Sequence, residues 1–349
     1  MNIKLTAENP FEWIALKANL VPLPLIETQI YFTMARMIMA GAELGIYDAI
    51  GKDSLSAEQI AQKCNTHVHA TRQLLNALTG AGYIRYSGNT YAIPKKFQKW
   101  LLKESEANLI GKLRFQILEW NYLNHLEEFV RTGKSLDLHD SKSLDSKAWE
   151  LYQEGMRDLS VNAAKELAGK IPVPKGANQM LDIGGSHGLY SIELCKKHTG
   201  LKSTILELSD AVESASAIAK RYDQAGIMVS YKAGNVLTDE LGENLYDVVM
   251  INNVVHHFTV EQNEQLAKKI YHALKPGGIY VVGELIRTDT PGKGGIMAAA
   301  TGLYFSLTSQ SGNWSESEIS GWQTKAGLKH LKTMPAMTVP GFKMVIGKK

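Results

Sequence analysis

Cysteine is scarce in this sequence: its 349 residues include only Cys64 and Cys195. The two lie far apart without the close spacing of a metal site. Neither a disulfide framework nor a cysteine zinc knuckle is therefore expected, and a reducing, cytoplasmic setting fits. A surplus of one charge is also lacking. The 38 Lys and Arg against 35 Asp and Glu leave a net charge of +3, too mild to argue for nucleic acid unless it clusters. Long hydrophobic runs are missing. The most apolar stretch, residues 30–42, carries Arg36 and is too short to cross a bilayer. Glu8, Pro10 and Glu12 break up the amino terminus, so no secretory leader and no membrane anchor are expected. Internal repeats and low-complexity tracts are absent.

What is present is ordinary globular chemistry, with 44% hydrophobic and 21% charged residues. The length favours two domains. Residues 27–50 have a helical apolar period through Ile30, Met34, Met37, Ile38 and Leu44. Ser56 is an N-cap for a helix carrying Ile60 and Ala61, and a second helix runs from His67 to Leu78 before Gly80 and Gly82. Alternating residues 83–86, a Ser87-Gly88-Asn89 turn and residues 90–93 make a small hairpin. Together these form a winged-helix pattern. Longer helices are predicted over 106–131 and 146–170, with a polar loop over 132–145.

From about residue 178 strands and helices alternate. Strands are predicted at 180–183, 203–208, 228–231, 246–251 and 279–282, with helices between them and a turn at Lys275-Pro-Gly-Gly278. The strongly apolar 246–251 segment is expected at the centre of the sheet. Two further strands over 327–345 close it as an antiparallel pair. This periodicity predicts an α/β fold: a doubly wound Rossmann-like sheet over 105–349, preceded by a mainly helical winged-helix domain over 1–104.

The first of these strands runs into Asp182-Ile183-Gly184-Gly185-Ser186-His187-Gly188, and Glu207 ends the second. Glycines let a chain turn sharply and let a ligand approach the backbone. A carboxylate at the second strand suits the two hydroxyls of a ribose. A dinucleotide fingerprint needs glycine at the first, third and sixth positions. Counting from Gly184 meets Ser186 and Leu189, and counting from Gly185 meets His187, so that fingerprint fails. Asp182 suits a cationic ligand better than a pyrophosphate.

Asp182 to Gly188, Glu207, Gly234-Asn235-Val236, Tyr246 to Val249, Asn253 to Phe258 and Leu274 to Gly278 recur in the order seen in class I S-adenosylmethionine (SAM)-dependent methyltransferases. More narrowly, residues 20–347 resemble the small-molecule O-methyltransferases of the caffeic acid and hydroxyindole type. The resemblance implies SAM as cofactor, a small acceptor, and homodimerisation through the amino-terminal domain. It implies cofactor contacts from Asp182, Gly184, Gly185, Gly188, Glu207, Asn235, Val236 and Asn252. Asn235 replaces the acid usual there, and Asn252 stands where plant enzymes often have lysine.

The resemblance makes His256 the general base and Glu284 the carboxylate that orients it. Histidine suits the role because its ordinary pKa is near 6.5. Tyr152, Met156, Met297 and Tyr304 would wall an aromatic or apolar acceptor. The second glutamate of the plant enzymes is replaced by Asn313, which leaves carbon or nitrogen methylation, or non-methylation chemistry with the same cofactor, as alternatives. No metal is expected, since His256 and His257 as neighbours on a strand would face opposite ways. A winged-helix DNA regulator is disfavoured because Arg72 is the only fixed positive charge on the would-be recognition helix.

Overall fold

A computed structural model describes residues 6–136, 138 and 145–349, so half of the polar loop expected over 132–145 lies outside the described residues. The chain divides into two compact units, one reaching to Leu118 and the other running from Glu119 to Lys349.

The first unit contains α1 (Pro10–Lys17), α2 (Leu23–Glu43), α3 (Ile46–Ile50), α4 (Ala57–Cys64), α5 (Val68–Gly80), β1 (Arg85–Ser87), β2 (Thr90–Ala92), α6 (Lys95–Leu101) and most of α7 (Ile110–Leu123). The single helix expected over 27–50 is interrupted after Glu43, because Gly45 takes a left-handed conformation and starts α3 afresh. Ser56 caps α4 in a reciprocal box with Gln59. Gly88 and Asn89 both have positive φ, as a tight hairpin turn between β1 and β2 requires. Ile46, Tyr47, Ile50, Ile60, Leu75, Leu78 and Ile84 form the core of this unit.

The second unit continues with α8 (Leu126–Thr132), α9 (Ser146–Ala168), β3 (Gln179–Ile183), α10 (Leu189–Lys197), β4 (Lys202–Glu207), α11 (Ser209–Ala219), β5 (Val229–Ala233), β6 (Tyr246–Asn252), a 3₁₀ turn (Val255–His257), α12 (Val260–Ala273), β7 (Leu274–Leu285), α13 (Gly295–Thr308), α14 (Glu316–Lys325), β8 (Lys329–Pro335) and β9 (Phe342–Lys348). The expected helix over 106–131 is broken at Asn124 and His125, which separate α7 from α8. The Lys275–Gly278 turn is absorbed into β7 as an irregularity: Tyr246 pairs with Leu274, but Val248 pairs with Ile279.

Among the described residues the larger sheet has seven strands in the order β5-β4-β3-β6-β7-β9-β8. The first five of these pair in parallel, and the β7–β9 and β9–β8 pairs are antiparallel. β6 is central, as its continuous apolar run requires. Separate hydrophobic clusters pack around the sheet, one including Met180, Val248 and Met344, the other Leu181, Val249 and Val345. These alternate along the strands, so each strand feeds both faces. The strand order reverses between β3 and β6. Loops leaving the carboxyl ends of such a pair diverge and open a crevice there.

Candidate active site

The cavity lies at the carboxyl edge of the parallel strands and has a volume of about 660 Å³. Its wall includes Gly184, Gly185 and Ser186 after β3, Glu207 and Leu208 at the end of β4, Asn235 and Val236 after β5, and Asn252 to Val254 after β6. Tyr152, Gln153 and Met156 on α9 form another wall. Gly184 has φ +63, and a methyl group there would sit 2.7 Å from a Val254 methyl. A side chain is thus excluded by both conformation and space.

Glu207 is 9% exposed. Its Oε2 accepts from the Ser186 amide at 3.0 Å and its Oε1 from the Leu208 amide at 2.9 Å. Burial pushes its pKa up, and the two amides oppose that shift by stabilising the anion. Asn252 and Asn253 line the cavity with buried Oδ1 atoms that have no hydrogen-bond partner among the described residues. Asn252 lies over Gly283, where any Cβ would collide with its amide oxygen and with the Phe342 ring. Apolar Val236, Leu208 and Leu237 provide flat walls between these polar points. An anchored carboxylate, apolar surfaces and unsatisfied amide oxygens in a cavity of this size fit a nucleoside carrying an amino-acid tail.

Several expected residues sit elsewhere. Asp182 is buried beneath the loop, where its Oδ2 accepts from the Ser191 hydroxyl at 2.6 Å. Burial pushes its pKa up to about 7. Gly188 is the N-cap of α10 and does not line the cavity. Met297 is 42% exposed on α13, outside the cavity wall, because that face of α13 is turned outward. Tyr304 is also outside the wall; its hydroxyl donates to Glu119 Oε1 at 2.9 Å.

His256 is 4% exposed, and its Nδ1 lies 2.9 Å from Oε2 of the fully buried Glu284. Its ring stacks on Phe305 at 4.0 Å between centroids. The cavity is lined by His257, whose Nδ1 is 2.7 Å from the Ser309 hydroxyl. The two imidazoles are side by side, 4.1 Å apart. The strand argument for opposed rings does not apply, since both belong to a 3₁₀ turn. Among the described residues no group of three acidic, His or Cys side chains is arranged to hold a metal ion. His257 and Gln153 are among the cavity residues that sequence reasoning missed. The His-His pair was visible, but which ring faced inward depended on the turn. Gln153 had no signal beyond its place beside Tyr152.

An O-methyltransferase domain model matches residues 124–329, which is more than half of the chain. The chain belongs to the O-methyltransferase family. An O-methyltransferase dimerisation domain model matches residues 26–93. Among curated relatives, the 3-hydroxy-5-methyl-1-naphthoate 3-O-methyltransferase of Streptomyces sahachiroi is 23% identical, over 85% of this chain and 86% of its own length. The L-tyrosine C(3)-methyltransferase of Streptomyces lavendulae is 25% identical, over 87% of this chain and 85% of its own. Human N-acetylserotonin methyltransferase, solved in complex with SAM, has the same fold with a TM-score of 0.84 at 16% identity, covering 99% of both chains. This family member is a SAM-dependent methyltransferase.

Proposed function

We propose that this enzyme transfers the methyl group of SAM to a hydroxyl oxygen of a small aromatic acceptor. The observation that carries the reading is the Glu207 carboxylate anchored to the glycine loop at Ser186, both lining one cavity. Glu207 would hold the ribose hydroxyls, Asn235 and Val236 the adenine, and Asn252 with the Gly184–Gly185 backbone the amino-acid end. SAM supplies an electrophilic methyl group on a sulfonium sulfur. Tyr152 and Met156 would wall the acceptor, as a flat ring requires.

A phenol is a weak nucleophile until its proton is removed. His256 would take that proton, with Glu284 fixing the tautomer and stabilising the charged imidazole. Their 2.9 Å bond in a dry environment supports the assignment. His257 lines the cavity with its ring 4.1 Å from that of His256, where it would steer the acceptor. The naphthoate relative named above supports an aromatic alcohol as substrate. A panel of phenols incubated with SAM tests this. Methyl ether and S-adenosylhomocysteine should form together, and a product methylated only on carbon would overturn the oxygen assignment.

One observation favours that second outcome. Asn313 replaces a carboxylate; its Nδ2 donates to the Leu285 carbonyl at 2.9 Å, and its buried Oδ1 has no partner among the described residues. With one carboxylate rather than two around His256, proton removal is less strongly driven, and the tyrosine C-methylating relative fits such a site.

The same reading makes the enzyme a cytoplasmic homodimer joined through its first unit, acting without nucleic acid or membrane. The exposed Phe11, Trp13, Leu25, Ile30 and Phe32 of α1 and α2 support the dimer. Arg72 is paired with Glu58, which argues against phosphate binding by α5. No helix among the described residues is long and apolar enough to cross a membrane.

A further inference from the structure

Ser186 stands apart in the glycine loop. Its φ is +51, and every other described residue with positive φ is glycine or asparagine. A left-handed conformation crowds the Cβ of an ordinary L-residue, so glycine would fill this position with less strain. All three polar groups of Ser186 are engaged. Its amide donates to Glu207 Oε2 at 3.0 Å, and its carbonyl accepts from the Tyr231 hydroxyl at 2.7 Å. Its hydroxyl donates to Oε1 of Gln153 on α9.

The next residue makes a parallel contact. His187 accepts the Leu189 amide at Nδ1 (3.1 Å), so the ring proton is on Nε2, which donates to the Ser160 hydroxyl at 3.0 Å. Ser160 is seven residues beyond Gln153 on α9, on the same face two turns along. Gln153, His187 and Ser160 are 1%, 3% and 8% exposed. Of the proposed acceptor wall, Tyr152 immediately precedes Gln153 and Met156 lies between the two contacts. The loop that meets the cofactor and the helix that meets the acceptor thus share a buried seam of two side-chain hydrogen bonds.

We propose that Ser186 and His187 are positioning residues that fasten α9 to the cofactor loop, so that seating the cofactor orders the acceptor wall before the acceptor arrives. The proposal rests on the SAM-binding reading above. Its economy lies in Ser186, where one strained residue reaches Glu207 through its amide and α9 through its hydroxyl.

Hydrogen exchange on the full-length protein, with and without saturating S-adenosylhomocysteine, tests it. In the wild type the ligand should slow exchange of the α9 amides between Lys147 and Ser160 by about tenfold, the scale of one buried hydrogen bond. In Ser186→Ala at saturation that protection should be lost, while protection at the end of β4 remains. Ser186→Gly, which also relieves the left-handed strain, should lose the α9 protection with no fall in Tm, separating the seam from general damage. Undiminished α9 protection in Ser186→Ala would overturn the proposal, as would a wild type that binds the ligand yet leaves α9 unprotected. Failure of the wild type to bind S-adenosylhomocysteine at all would bring down the SAM reading, and this proposal with it.

Discussion

In the unit up to Leu118, α1 and α2 leave Phe11, Trp13, Leu25, Ile30 and Phe32 exposed. In the unit from Glu119 the strands β3, β6 and β7 are buried on both faces, the exposed apolar side chains such as Val130, Ile227 and Met337 are scattered over separate elements, and the cavity carries Asn252 and Asn253, whose amide oxygens have no partner among the described residues. A contiguous exposed apolar surface calls for another protein, and buried polar atoms left unsatisfied beside a crevice call for a small ligand. The two units therefore advertise different kinds of partner. Damage to one should change assembly, and damage to the other should change chemistry.

The largest expected effect tests the chemical half of that contrast. His256→Ala should lower kcat by roughly 10²–10⁴-fold, the usual contribution of a general base. Binding of S-adenosylhomocysteine should be little changed. If His257→Ala produces the larger loss, the base has been assigned to the wrong ring. Next comes Glu207→Ala, which removes charge-assisted contacts worth about 1.5–3 kcal/mol and should weaken S-adenosylhomocysteine binding roughly 10–100-fold in calorimetry. Unaltered affinity would remove the main support for the cofactor site.

The assembly half is tested by Phe32→Asp, at an exposed position on α2. Loss of an interface anchor of about 2 kcal/mol should weaken self-association roughly 30-fold in analytical ultracentrifugation, with affinity for S-adenosylhomocysteine retained. An unchanged sedimentation profile would break the contrast, because the exposed apolar face would then have no partner of its own kind.

A smaller effect concerns pH. Asp182 keeps its proton to about pH 7 when folded, against an ordinary value of 3.8. Between these values the folded chain binds more protons than the unfolded one, so this group's contribution to stability falls as pH rises through the window. Asp182→Asn mimics the protonated form. Its Tm relative to wild type should rise between pH 4 and pH 7 and then level off; a difference independent of pH would show that the carboxyl is ionised in the fold. Smallest of all, Arg72→Ala removes a surface ion pair with Glu58 and should cost less than about 1 kcal/mol in urea unfolding.

Much of this was legible in the residues themselves. The apolar run of β6 announced its central place, and Gly184 with Glu207 marked the edge of the sheet where the cavity opens. Capping chemistry placed α4 at Ser56. What could not be read was set by packing at a distance. Tyr304 looked like an acceptor-wall aromatic, but Glu119 claims its hydroxyl from 185 residues away in the chain. Which of His256 and His257 lines the cavity is set by the 3₁₀ turn that carries both, not by the alternation of a strand. Gln153 is an ordinary helical residue until Ser186 reaches it.

Gly283 carries a consequence for the history of this chain. Its missing side chain is what allows Asn252 and Phe342 to occupy the same small space from opposite directions. Replacing the glycine would require both neighbours to be exchanged as well, one on the cavity side and one on the closing strand β9. The glycine is therefore the last of the three that can change: Asn252 or Phe342 can each give way to a smaller residue alone, but a side chain at position 283 has to wait for both.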